Sequence, residues 1–284
     1  MSVYCLTEHM PREEQDLYPE ELELTQDGVR FQDPRQISAY LSRLFDDFYR
    51  EAKRLKKHYE SQITLWIGVE IDWIRPSSQD FIERLQESYQ FDLLIGSVHH
   101  VRAIPIDYSA DLFNTALQLC GGSKETLFED YFDLQYEMLQ ALKPSFVGHF
   151  DLIRLKSNFP NGSLMDFAGV WQKIQRNLEY VKLYGGILEI NAAGLRKGLK
   201  EPYPQKEICQ EFAAMGGRFT LSDDAHGVDQ VGTNFLTAVA FAESVPVHKL
   251  VFLSNSDRRS NGPNTPDLTE ISMHELKTHS YFTK

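Results

Sequence analysis

Apolar positions along the chain alternate between two periods, and the alternation repeats. From Ile37 they recur as Leu41, Leu44, Phe48, Ala52, Leu55 and Tyr59, one face of an amphipathic helix. A continuous apolar run, Thr64 to Val69, follows and ends at Glu70. A short helix around Phe81 to Leu85 leads to a second run, Phe91 to Val98, with His99 at its end. After an irregular stretch from Val101 to Gly122, Leu127, Tyr131, Leu134 and Met138 restart a helix. That helix must end near Pro144, because a residue before proline is pushed out of helical geometry. Ser145-Phe146-Val147-Gly148 then delivers His149.

The next helix carries Phe167, Trp171, Ile174, Leu178 and Val181, stops at Gly185-Gly186, and gives way to a strand over Ile187 to Ile190. A helix around Lys206 to Ala214 ends at Gly216-Gly217 before Arg218 to Leu221, so Ser222 to His226 is another strand end. A last helix near Thr233 to Glu243 precedes a strand over Lys249 to Leu253. Residues from about 255 to 284, with Asn255, Gly262, Pro263 and Pro266, read as a polar C-terminal extension. Doubly buried strands alternating with helices imply parallel βα units in a single α/β domain over 1–284. No strand is followed by a Gly-rich phosphate loop, which disfavours a nucleotide-binding doubly wound sheet and favours a barrel with its helices outside.

Acidic residues outnumber basic ones 41 to 29, for a net charge of -12, and no basic block exceeds Arg54-Leu55-Lys56-Lys57. Neither a nucleic-acid nor an anionic-membrane surface is expected from such a chain. Cys5, Cys120 and Cys209 are widely spaced and form no Cys-X-X-Cys pair, so a disulfide framework and a thiolate zinc site are both disfavoured. With no apolar stretch near the ~20 residues of a membrane span and no signal-peptide pattern, the expected home is the reducing cytoplasm.

Chemistry-bearing residues collect where the strands end: Glu8-His9, Glu70, His99-His100, His149-Phe150-Asp151 and Asp223-Asp224-Ala225-His226. In parallel α/β folds these ends converge on one edge, where such folds keep their sites. Imidazoles and carboxylates without thiolates suit zinc, iron or manganese with positions left open for water and substrate. Taken singly, His9 or His149 reads more readily as a core histidine than as a ligand, and Asp224-Ala225-His226 as a solvated cap. Recurrence at independent strand ends is what packing does not explain. Paired metals bridged by a carboxylate such as Glu70 point to hydrolysis of a phosphate or other ester.

Thr7-Glu8-His9-Met10-Pro11-Arg12, Gly68-Val69-Glu70, Ser97-Val98-His99-His100, Gly148-His149-Phe150-Asp151, Glu189-Ile190-Asn191 and Ser222-Asp223-Asp224-Ala225-His226 together resemble the histidinol-phosphatase branch of the polymerase and histidinol phosphatase (PHP) superfamily. Pro105-Ile106-Asp107 resembles its fungal type. The resemblance implies a distorted (β/α)7 TIM-like barrel, a site for up to three divalent ions, and removal of phosphate from L-histidinol phosphate in histidine biosynthesis. It further implies that Glu70 bridges two metals, that His99 and His149 complete one, that Asp224 holds another, and that His226 and His9 bind the third. His100 is set apart, since neighbouring strand residues point to opposite faces. Arg154 and Arg196 match positions that grip the phosphate, a task for which a guanidinium fork is suited. Asp224 is a candidate to protonate the leaving alcohol, and acidic residues near the mouth such as Asp107 to meet the histidinol cation.

The pattern departs from the family at the front. A first strand ending in His-X-His is the family's most diagnostic element, whereas Met1-Ser2-Val3-Tyr4-Cys5-Leu6 matches its second strand. The barrel is therefore expected to be incomplete, with unpaired strand edges and only the Glu70, His99 and His149 set intact, and the chain as written to be inactive or greatly weakened as a phosphatase unless it is a shortened form or an incomplete gene model of an intact enzyme. Two other readings belong to different classes: another PHP-type phosphoesterase acting on other esters, and a non-catalytic remnant that binds a metal or a partner.

Overall fold

The structure, a computed structural model, describes residues 2–26, 28–254 and 267–279. Six parallel strands form its main sheet: β1 (Val3–His9), β2 (Thr64–Asp72), β3 (Leu93–Ser97), β4 (Phe146–Val147), β5 (Ile187–Asn191) and β6 (Arg218–Ser222), adjacent in that order. Helices α1 (Pro34–His58), α2 (Ser78–Ser88), α3 (Ala110–Leu119), α4 (Lys124–Leu142), α5 (Ala168–Tyr184), the single turn α6 (Ala193–Arg196) and α7 (Lys206–Ala214) fill the connections. The alternating pattern thus becomes the expected parallel α/β architecture.

Strand β2 shows how the sheet is divided. Val69 and Ile71 point to the outer core against the helices, while Trp66 points inward to a smaller cluster with Leu93, Phe146, Ile187, Val251 and Leu253. With a side-chain period of two, Gly68, Glu70 and Asp72 share the inward face of Trp66. The interior is apolar at the N-terminal ends of the strands and carries carboxylates at their C-terminal ends. Register brings these ends together, because His9 pairs with Glu70 and Glu70 with Ile95.

Helix α1 starts where Asp33 accepts a hydrogen bond from the Arg35 amide and Pro34 occupies the first turn. Its buried residues are Ile37, Phe45 and Ala52, whereas Leu44 is exposed, so the core stripe runs one position away from the expected one at that turn. Helix α3 was expected to be irregular chain. Ser109 caps it, Phe113 and Ala116 bury it, and its ten residues give too short a periodic signal to read. Helix α5 ends on Gly185 at φ +80°, a left-handed position that lets the chain turn directly into β5.

Two further elements revise the expected architecture. After α8 (Phe235–Ser244), strand β7 (Lys249–Leu253) does not join the parallel sheet but pairs antiparallel with β8 (Leu268–Ser272). Helix α9 (Met273–Thr278) follows, begun by a capping box between Ser272 and Glu275. Residues 268–278, expected to lie in a polar extension, are therefore folded, and Met273 is buried. The expected features Asn255, Gly262, Pro263 and Pro266 lie outside the described residues. Among the described residues the edge of β1 opposite β2 carries no strand. A cavity of about 480 Å³ opens there, between Val3, Cys5, Leu221, Phe235 and Val251. No described helix is long and apolar enough to cross a membrane.

Candidate active site

Three of the expected ligands meet around a fourth, the Glu70 carboxylate. Glu70, at the inward face of β2, lies 3.7 Å through Oε2 from His9 Nδ1, and through Oε1 3.4 Å from His99 Nε2 and 2.9 Å from His149 Nε2. His9 ends β1, His99 follows β3 by two residues and His149 follows β4 by two, so four neighbouring strands supply one cluster. Donor atoms about 2.0–2.2 Å from a shared cation lie about 3.0–3.6 Å from one another, and the observed spacings bracket that range. His9 Nδ1 is buried without a hydrogen-bond partner although it faces Glu70. A nitrogen left in that state costs stability unless a cation takes it up. The donor set and its geometry therefore fit a divalent metal, and ligand atoms of His9, Glu70 and His99 all lie within 4.8 Å of one another.

The electrostatics support the same reading. Burial pushes the Glu70 carboxyl up, but His9, His149 and His99 outweigh it and hold the group well below the usual carboxylate range. Burial pushes the His149 imidazolium down, and the hydrogen bond and charge of Glu70 more than reverse this, to about 9. Asp72, two residues past Glu70 on the same face, lies 3.3 Å from His99 Nδ1 and 3.2 Å from His100 Nδ1. It stands behind the ring of His99 while Nε2 faces Glu70, and accepts a hydrogen bond from the His99 backbone amide (3.4 Å), the position from which a carboxylate can orient a ligating histidine. His100 turns to Asp72 and Tyr18 rather than to Glu70.

A second group adjoins the first. Asp224 follows β6 by two residues at φ +48°, so the strand has ended and simple two-residue alternation no longer relates it to His226. His226 is half exposed, its Nδ1 3.0 Å from the Asp224 carbonyl oxygen and 3.6 Å from Oδ1, and its ring 5.9 Å from that of His9. Asn191 Nδ2 donates to Glu189 Oε2 (3.1 Å) and to Asp224 Oδ2 (3.5 Å). Burial, opposed by His149 and reinforced by the charges of Glu70 and Asp224, lifts Glu189 to about 8. At neutral pH Glu189 is mostly protonated, which spares this corner one negative charge.

The cations are arranged differently from the expectation. Arg154 is 1% exposed; its Nε donates to Asp151 Oδ2 (2.7 Å), its Nη1 to the Pro160 carbonyl (2.9 Å) and its Nη2 to the Pro202 carbonyl (2.8 Å). In this conformation the guanidinium braces the loops around Asp151 instead of reaching the cluster. Sequence placed it correctly after a ligand-bearing strand, but the direction of the side chain is set by Asp151 and by carbonyls distant in the chain. Half-buried Arg196 donates to the carbonyl oxygens of Asp223 (3.0 Å) and Asp224 (2.7 Å) and so shapes the Asp224 turn. Lys197, which sequence reasoning passed over, places Nζ 3.8 Å from Asp224 Oδ2 with its side chain about one-third exposed. Its adjacency to Arg196 was the available signal.

A cluster of imidazoles and carboxylates at the C-terminal edge of a parallel sheet defines a metal-binding α/β protein, and the PHP domain family matches residues 1–193. The chain belongs to that family. It is 41% identical over 257 residues to a Schizosaccharomyces pombe protein named "Probable histidinol-phosphatase", covering 88% of this chain and 78% of that one. It is 36% identical over 258 residues to the histidinol-phosphatase of Saccharomyces cerevisiae, covering 81% and 75%. Its fold is similar to the crystal structure of histidinol phosphate phosphatase from Lactococcus lactis, solved with zinc, L-histidinol and phosphate. That likeness has a TM-score of 0.59 at 19% identity, covering 90% of this chain and 86% of that one.

Proposed function

We propose that the protein is a metal-dependent phosphomonoesterase that hydrolyses L-histidinol phosphate to L-histidinol and phosphate. The observation that carries the reading is the convergence of His9, His99 and His149 on Glu70 at one edge of the sheet. The named activity of the fungal relatives, at 41% and 36% identity, supports the choice of substrate.

Glu70, His99 and His149 would hold one divalent ion, zinc, iron or manganese, with Glu70 shared toward His9, His226 and Asp224 for further ions. When bound, such ions supply Lewis acidity toward the phosphate oxygens and a water of lowered pKa. The chain's own residues do the rest. Asp72 orients His99 to present Nε2. Lys197, with Arg196 beside it, brings positive charge to the Asp224 side, where the charge of the transferring phosphoryl group needs neutralising. Arg154, paired with Asp151, braces the neighbouring loops through the Pro160 and Pro202 carbonyls. Asp224, beside that positive charge, is the candidate to give a proton to the departing alcohol oxygen. The free thiols of Cys5, Cys120 and Cys209 suit a reducing cytoplasm.

The test is metal analysis of the purified protein together with phosphate release from L-histidinol phosphate, repeated for Glu70→Gln. Turnover by the metal-loaded protein that falls by about a thousandfold in the variant, with metal content falling too, is the expected result. A fully metal-loaded protein that releases no phosphate, or an unimpaired variant, overturns the reading.

A further inference from the structure

Asn191, the last residue of β5, is 1% exposed, and its backbone is pinned from two directions. The Asn191 amide donates to the Tyr203 carbonyl (2.8 Å) and the Tyr203 amide to the Asn191 carbonyl (3.1 Å). The next amide, that of Ala192, donates to the Ser222 carbonyl (2.8 Å), which joins this corner to the end of β6 where the Asp224 turn departs. The side chain then has one consistent orientation. Its Oδ1 accepts from the Ala193 amide (2.9 Å), a partner that only the oxygen can serve. Nδ2 must therefore direct its two hydrogens to Glu189 Oε2 (3.1 Å) and, by a longer bond, to Asp224 Oδ2 (3.5 Å).

The two oxygens of Asp224 consequently have different surroundings. Oδ2 faces the Asn191 amide and, at 3.8 Å, Lys197 Nζ. Among the described residues no hydrogen bond engages Oδ1, which lies 3.6 Å from His226 Nδ1. Asp224 sits at φ +48°, a conformation that a residue with a Cβ keeps only where its surroundings impose it. Arg196 imposes it by donating to the Asp223 and Asp224 carbonyls. Arg196 thus holds the backbone of the turn, and Asn191 its carboxylate. A neutral amide suits that task, since a carboxylate in its place would repel both Asp224 and Glu189. A ligand oriented in advance also loses less freedom when an ion arrives.

We propose that Asn191 is a positioning residue that acts through Asp224, occupying Oδ2 so that Oδ1 is the oxygen presented to a divalent ion. The inference rests on the metal site of the phosphatase reading, and its test does not depend on turnover. Zinc affinity is measured by competition with a chromophoric chelator for the full chain, Asn191→Ser, Asn191→Thr, Asp224→Asn and the double variant Asn191→Ser with Asp224→Asn. Serine and threonine keep a hydroxyl acceptor for the Ala193 amide but are too short to reach Asp224, and the melting temperature without metal records whether each variant folds. Either Asn191 variant is expected to weaken zinc binding by about ten- to a hundredfold, with no further loss once Asp224 is replaced. Wild-type affinity in a folded Asn191 variant overturns the proposal. So does a loss of equal size with and without the Asp224 carboxylate, or failure of both Asn191 variants to fold, either of which would make Asn191 a packing residue. The expected zinc results in a protein that releases no phosphate from L-histidinol phosphate would overturn the phosphatase reading alone and leave Asn191 in its role.

Discussion

Arg154 decides between two accounts of the same residue. If it braces the fold, as its contacts show, Arg154→Met removes the partner of the fully buried Asp151 and strips donors from the Pro160 and Pro202 carbonyls. Burial already raises the Asp151 carboxyl despite the opposing charge of Arg154 and the Gln205 amide. Breaking one side of a buried pair costs about 3–5 kcal/mol. Taking about 4 kcal/mol, and about 2–4 °C per kcal/mol for a chain of this size class, the melting temperature should fall by about 8–16 °C. A double variant, Arg154→Met with Asp151→Leu, should recover part of the loss, since no charge is then left stranded. Thermal unfolding followed by circular dichroism, with phosphate release measured well below the transition, gives both readouts. An unchanged melting temperature with collapsed turnover would refute the bracing account and return Arg154 to the phosphate.

The same residue shows where sequence ceases to speak. Chain order and periodicity located the strand ends, because parallel βα units oblige those ends to share an edge, and Glu70, His99 and His149 followed directly. Where a long side chain points is a tertiary matter: Arg154 and Arg196 are adjacent to the site in sequence terms, yet both spend hydrogen bonds on backbone carbonyls. Asp72 was within reach of the two-residue rule that places it beside Glu70, but its partner histidines lie 27 and 28 residues away. Strand β8 could not be read because its edge partner β7 precedes it by a polar stretch that masks any hairpin signal. Leu44 and Phe45 differ for a simpler reason: neighbouring apolar residues on a helix are 100° apart, and only packing selects between them.

Three other expectations follow from the site. Lys197→Met should lower kcat/KM for L-histidinol phosphate by about ten- to a hundredfold with little change in melting temperature, because its ion pair with Asp224 is loose and partly exposed; an unaltered kcat/KM would remove Lys197 from the phosphate site. Asp72→Asn should weaken metal retention by about ten- to a hundredfold through His99, read by competition with a chelator; unchanged retention would leave Asp72 a purely structural role. The last concerns pH. His149 is raised from 6.5 to about 9 in the metal-free protein, so its pairing with Glu70 stabilises that state fully below about 6.5 and is lost as pH rises through about 9. At about 1.4 kcal/mol per unit, the metal-free protein should lose roughly 3 kcal/mol across that window. A metal must displace the same proton, so its affinity should rise by about tenfold per pH unit between 7 and 9, with about one proton released. Calorimetry in buffers of different ionisation enthalpy measures that proton. A metal affinity that is flat over this range, or a slope that persists in His149→Gln, would show that the imidazolium of His149 is not what the metal displaces.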